Sequence, residues 1–163
     1  MTVAASYTAN LTVTESLPNQ PLVNLSSDSV QYSGLNTSLS LSGTSTPPAS
    51  VVGILAQALT SGAATIDLTN VPGTNGVAVS GNGLKIRAVK FANPASNANP
   101  ITIKFGAANP YLLFGASWSI ILQPGQEFLA YLKDAAPAIG SGSKNIDLAG
   151  TGTQVLNVLI LMG

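Results

Sequence analysis

The sequence predicts an all-β protein, a β-sandwich of jelly-roll type with about 8–10 antiparallel strands. Three observations predict it. Sixteen glycines and ten prolines punctuate the 163 residues, which leaves little room for helices of the usual ~11–12 residues. The runs between them are short, β-branched and alternating. They recur at the close spacing, with turn signals between them, of a sandwich or jelly roll and not of βαβ units.

The elements follow in order. Residues 5–14 (ASYTANLTVT) alternate, with Tyr7, Ala9, Leu11 and Val13 on one face. Residues 35–43 alternate again through Leu35, Leu39 and Leu41. Residues 50–60 (SVVGILAQALT) come nearest to a helical pattern, but Gly53 and the β-branched run favour a strand. Residues 63–69 read as a strand, and so do 83–91, where Leu84, Ile86, Ala88 and Val89 are expected inward and Lys85 and Arg87 outward. Residues 100–106, 117–122, 127–133, 144–149 and 153–162 complete the set. Asn75-Gly76 and Asn82-Gly83 are expected to form type I′ hairpin turns. Asn93-Pro94, Asn99-Pro100 and Asn109-Pro110 mark loop bends, and Pro124-Gly125 a tight turn between SIIL and EFLAYL. The chain is expected to form one domain over 1–163. Within it, 16–50 is expected as an extended arm or long loops, because 16–34 and 42–50 are rich in Ser, Pro, Asn and Gly. SGAATIDL (61–68) and SGSKNIDL (141–148) share the pattern SGxxxIDL, expected as one turn-and-strand solution used in equivalent places of two sheets.

Composition narrows the chemistry. There is no cysteine, so disulfides, thiolate metal sites and thiol nucleophiles are excluded. There is no histidine, which removes the usual general base and the commonest metal ligand. Charged residues make up 7% of the chain, against ~25% in ordinary domains. The net charge is zero, which favours association over free diffusion. Acids alone (Glu15, Asp28, Asp67) precede Lys85, whereas all six bases lie from Lys85 onward. That asymmetry could serve a head-to-tail contact between copies. Six dispersed bases make no nucleic-acid footprint. The N-terminus lacks the basic start and apolar core of a signal peptide, and no apolar run approaches membrane-helix length. Triplets of the form N-x-[ST] begin at Asn10, Asn24 and Asn36, as expected of an Asn/Ser/Thr-rich composition.

No catalytic, cofactor or metal site is expected. A glycosidase needs two carboxylates at a set separation, one of them desolvated, and the few acids read as solvated surface groups. A serine–lysine pair is formally available, but no serine is expected to be set as a nucleophile. Gly73, Gly76, Gly81 and Gly83 lack the GK[ST] of a phosphate loop, and no calcium-loop pattern occurs. Tyr111, Phe114 and Trp118 cluster in NPYLLFGASWSI. They are candidate recognition aromatics for stacking on sugar rings, with core or subunit interface as the favoured reading. The C-terminal run TQVLNVLILMG is apolar on both faces. Val155, Val158, Leu159, Ile160, Leu161 and Met162 are therefore candidate interface residues, on a strand either central in a sheet or covered by another subunit.

The stretches GLKIRAVKFANPASN, ANPYLLFG and LQPGQEFLAY, with the absent Cys and His and the sparse charge, resemble small β-sandwich structural proteins of tailed bacteriophages. The capsid decoration (cement) proteins are the nearest in type. The resemblance implies a non-enzymatic protein on the capsid surface of the virion, made in the host cytoplasm. It also implies contact with the major capsid protein or other virion proteins, as a dimer or trimer, without nucleic acid or membrane. The alternative expectation is a recognition module, such as a head fibre, tail-tip component or carbohydrate-binding domain, which requires exposed Tyr111 and Trp118.

Overall fold

The computed structural model describes residues 2–18 and 27–163, and the chain divides into two units, Ser6–Ser40 and Met1–Ala5 with Leu41–Gly163. No helix occurs among the described residues.

The larger unit is an antiparallel β-sandwich. Its eight main strands are β5 (Val51–Ala58), β6 (Ala63–Asp67), β9 (Ile86–Ala92), β10 (Ile101–Phe105), β11 (Ser119–Leu122), β12 (Glu127–Tyr131), β13 (Asn145–Ala149) and β14 (Val155–Met162). Short β7 (Val71–Pro72) and β8 (Ala78–Val79) pair between β6 and β9. One sheet runs β12-β9-β14-β5 and the other β11-β10-β13-β6. Among the eight, only β10 and β11 are both consecutive and in one sheet; every other connection crosses to the opposite sheet. That order is the eight-stranded jelly roll of two Greek keys.

The core follows from period-two alternation. Leu156, Val158, Ile160 and Met162 of β14 lie inward beside Ile86, Val89 and Phe91 of β9. They meet Ile66, Ile101, Ile103, Ile146 and Leu148 of the other sheet in one cluster. The interior strands combine β-branched residues and apolar alternation, the pattern that suits a pleated sheet buried on one face.

The smaller unit is a two-stranded ribbon. β1 (Ala4–Ala9) pairs with β4 (Thr37–Ser42), whose outer ends belong to the larger unit, and β2 (Val13–Pro18) pairs with β3 (Ser27–Tyr32). Between the ladders Asn36 accepts from the Leu11 amide and donates to Thr12 Oγ1. The ribbon thus begins earlier than the expected 16–50 segment, and 41–50 joins the sandwich. Residues 19–26 of that segment, with the Asn24 triplet, lie outside the described residues.

Several local expectations change. Arg87, expected outward, is buried, at only 6% exposure. The register between β14 and β9 shifts at Leu161/Met162, where Met162 faces Ile86 and Leu161 faces Ala88. A bulge leaves one residue unpaired and breaks the alternation, and here that residue is Arg87. Neither Asn-Gly pair forms a type I′ turn, since only Gly76 and Gly83 take positive φ. The two-residue loop with both residues at positive φ is Ser61-Gly62 (51° and 82°), closed by paired hydrogen bonds between Thr60 and Ala63. Pro124-Gly125 is a tight turn as expected, closed from Gln126 N to Gln123 O with Gly125 at φ 82°. This is the Pro-Gly chemistry of a type II turn, and it carries the chain from one sheet to the other.

Candidate interaction surfaces

The acids of the sandwich are each tied to a structural partner. Asp67 takes a salt bridge from Lys144 at 2.6 Å and hydrogen bonds from the Thr69 amide and hydroxyl. Burial opposes its ionisation, but these bonds outweigh it and hold the carboxyl below the usual carboxylate range. Asp147 accepts from Thr65 Oγ1 and from the Ala107 amide. Asp134 accepts from the Arg87 guanidinium and lies 3.2 Å from Lys85 Nζ. Those bonds, Arg87's first, lower its pKa. Glu127 pairs with Lys90 at 2.7 Å. The guanidinium of Arg87 is further held by the carbonyls of Pro48 and Lys133.

One spacing overlooked in the sequence is Ser141-Gly142-Ser143-Lys144, which does match S-x-x-K. Residues 141–142 form a two-residue loop between Gly140 and Ser143, and Lys144 is committed to Asp67. An ammonium held by a carboxylate is a poor base for a serine. The two SGxxxIDL segments are neighbours in one sheet, not equivalents in two, with Ile66 opposite Ile146.

The candidate aromatics fall mostly inside. Tyr111 is fully buried, its hydroxyl donating to Pro137 O at 2.8 Å and accepting from the Ile86 amide. Burial pushes its phenol up to about 12. Trp118 is 6% exposed and donates its indole N–H to Tyr111 O at 2.9 Å. Phe114 remains partly exposed, edge-on to Trp118 and Phe128. The exposure of Tyr111 and Trp118 that the recognition reading requires is therefore absent. A large amphipathic ring here fills the core and hands its polar tip to a backbone carbonyl.

The C-terminal strand is central, hydrogen-bonded to β9 and β5. Of the candidate interface residues, Val158, Ile160 and Met162 are core and Val155 is half-buried. Leu161 is covered by Val3, Ala5, Leu41 and Ala49, in a second small cluster with Val52, Ala88 and Tyr131. Only Leu159 remains on the surface, at 44% exposure.

Register explains what surrounds it. On the outer face of this sheet Leu129, Lys90, Leu159 and Ile54 form one row across four strands. The next row is Glu127, Ala92, Asn157 and Ala56. The row on the opposite side (Tyr131, Ala88, Leu161, Val52) lies in the small cluster roofed by residues 3, 5, 41 and 49. Two adjacent rows are thus an open, largely apolar face whose charges are the Lys90–Glu127 pair. Ile54 and Leu129 were missed in the sequence because cross-strand register carries no local signal.

The outer face of the other sheet is different. A shallow depression of about 310 Å³ is lined by Ala63, Ala64, Thr65, Lys104, Asp147, Leu148 and Ala149. Lys104 forms no ion pair among the described residues.

The ribbon supplies the second apolar surface. Leu35 is 93% exposed and Leu11 76%, with Val13, Val30 and Tyr32 also exposed. Among its described side chains, none between 6 and 16 or 29 and 40 is buried. An isolated two-stranded ribbon is marginal in water. No family model, curated protein or solved structure matches the chain.

Proposed function

We propose that the protein is a non-enzymatic virion structural protein that binds the assembled capsid of a tailed phage and stabilises it as a decoration protein. One observation carries the reading: a jelly-roll body is joined in the same chain to a ribbon whose Leu11, Val13, Val30, Tyr32 and Leu35 are all exposed. Surfaces of that kind serve contact. The jelly roll itself recurs in viral capsid and lectin domains, which is support by analogy of fold. The sparse charge adds to it, since a neutral surface packs into a symmetric lattice with little repulsion. The acids and the buried guanidinium have structural work, and no histidine or cysteine exists to supply a base or nucleophile. Its partner on the shell is the major capsid protein.

An antibody raised against the chain, applied to purified phage particles, tests this reading. Gold label distributed over the head supports it. Label confined to the tail tip, or none on the particle, overturns it. The recognition-module reading has lost its main support with the burial of Tyr111 and Trp118.

A further inference from the structure

Two apolar surfaces are exposed in the single chain, and each lacks what the other has. The sandwich face has a flat pair of rows centred on Leu159, Ile54 and Leu129. The same face is already roofed, one row over, by Val3, Ala5, Leu41 and Ala49. Val3 and Ala5 lead into the outgoing arm of the ribbon, and Leu41 closes its return arm. The open rows therefore continue an existing layer that is made from this kind of chain. The ribbon offers Leu11, Val13, Val30, Tyr32 and Leu35, all of them exposed.

Charge matches in the same sense. The only charged residues in 6–40 are Glu15 and Asp28, whereas the rest of the chain carries six bases and four acids. The ribbon thus carries net −2 and the rest of the chain net +2. Opposite net charge on the two parts of the chain steers encounter between copies and disfavours ribbon-with-ribbon pairing.

We infer that the ribbon of one copy docks on the open rows of the sandwich face of a second copy. A symmetric pairing of two sandwich faces would leave both ribbons bare. The exchange instead covers one ribbon and one face per chain, so every copy is satisfied once. The contact is heterologous, with different patches on the two partners, and it closes into a ring where the rotation permits. It needs no viral shell, so its failure leaves the capsid reading standing, and the converse holds.

The chain has no cysteine, so Leu159→Cys creates a unique attachment point on the open face. The full-length variant carries a maleimide benzophenone, and light and heavy-nitrogen samples are mixed, irradiated and digested with chymotrypsin. The expected result is cross-links from position 159 to peptides within 6–40 that join light to heavy chains. Cross-links confined to like isotopes with no light-to-heavy pairs, cross-links between two sandwich faces, or monomer alone would each overturn the inference. A second arm adds Leu11→Ser and Leu35→Ser to the labelled variant. Both positions are exposed, so the melting temperature of the sandwich should hold, while intermolecular cross-linking falls by about tenfold or more. Unchanged cross-linking would remove the ribbon from the contact.

Discussion

Replacing Ile160 and Leu159 by alanine, one at a time, separates the two faces of the C-terminal strand. The residues are adjacent, similar in size and hydrogen-bonded in the same two ladders. Ile160 is fully buried in the main cluster and Leu159 is 44% exposed on the outer face. Ile160→Ala removes three carbon groups at ~0.8 kcal/mol each, so about 2.4 kcal/mol is lost before any cavity is counted. Its cross-strand neighbours are Gly53 and Val89. The first has no side chain to move into the space, so collapse is poor and the total should reach about 3–4 kcal/mol. For a chain of this length that lowers the melting temperature by roughly 6–16 °C. Leu159→Ala gives up only partly buried surface and should cost about 1 kcal/mol or less. Urea titration followed by tryptophan fluorescence at low protein concentration reads both values. Equal losses, or a loss under about 1 kcal/mol for Ile160→Ala, would refute the assignment of inner and outer faces.

Three further outcomes are expected. Tyr111→Phe leaves the Pro137 carbonyl and the Ile86 amide without their partner, so chemical denaturation should show a loss of about 1–3 kcal/mol; a neutral change would mean the hydroxyl is not satisfied as described. Asp67 ionises at lower pH in the folded chain than in the unfolded one. Its contribution is therefore complete above the unfolded value near ~3.9 and is lost as pH falls through the folded value. Asp67→Asn should flatten the acid limb of the stability profile by up to about one proton, and an unchanged limb would contradict the Lys144 pairing. Trp118 should emit in the blue, resist quenching by acrylamide and ignore added sugars, and a sugar-dependent change would revive the recognition reading.

The sandwich was legible because its strands alternate between punctuating glycines and prolines. Residues 63–69, 100–106, 144–149 and 153–162 each contain the strand expected there. The sequence could not show Arg87 as a bulge, because an extra residue in one strand is defined only against its partner. The type I′ turn was sought at Asn-Gly pairs, whereas Ser61-Gly62 takes that geometry with Thr60 and Ala63 paired across it. The site was less legible than the fold. Apolar character on both faces of 155–162 was visible, but the same character arises from a central strand. Only the register of four strands brings Leu129, Leu159 and Ile54 into one row. In the ribbon the alternation of Tyr7, Ala9, Leu11 and Val13 was plain, and nothing in it told that Leu11 and Val13 would stay exposed.

The most direct test of the proposed contact role is the mass of the protein in solution. Light scattering on the purified chain, alone and with candidate empty shells of tailed phages, provides the measurement. The account predicts stable oligomers and saturable, stoichiometric binding to the shell. A monomer at every concentration that ignores the shell would contradict it.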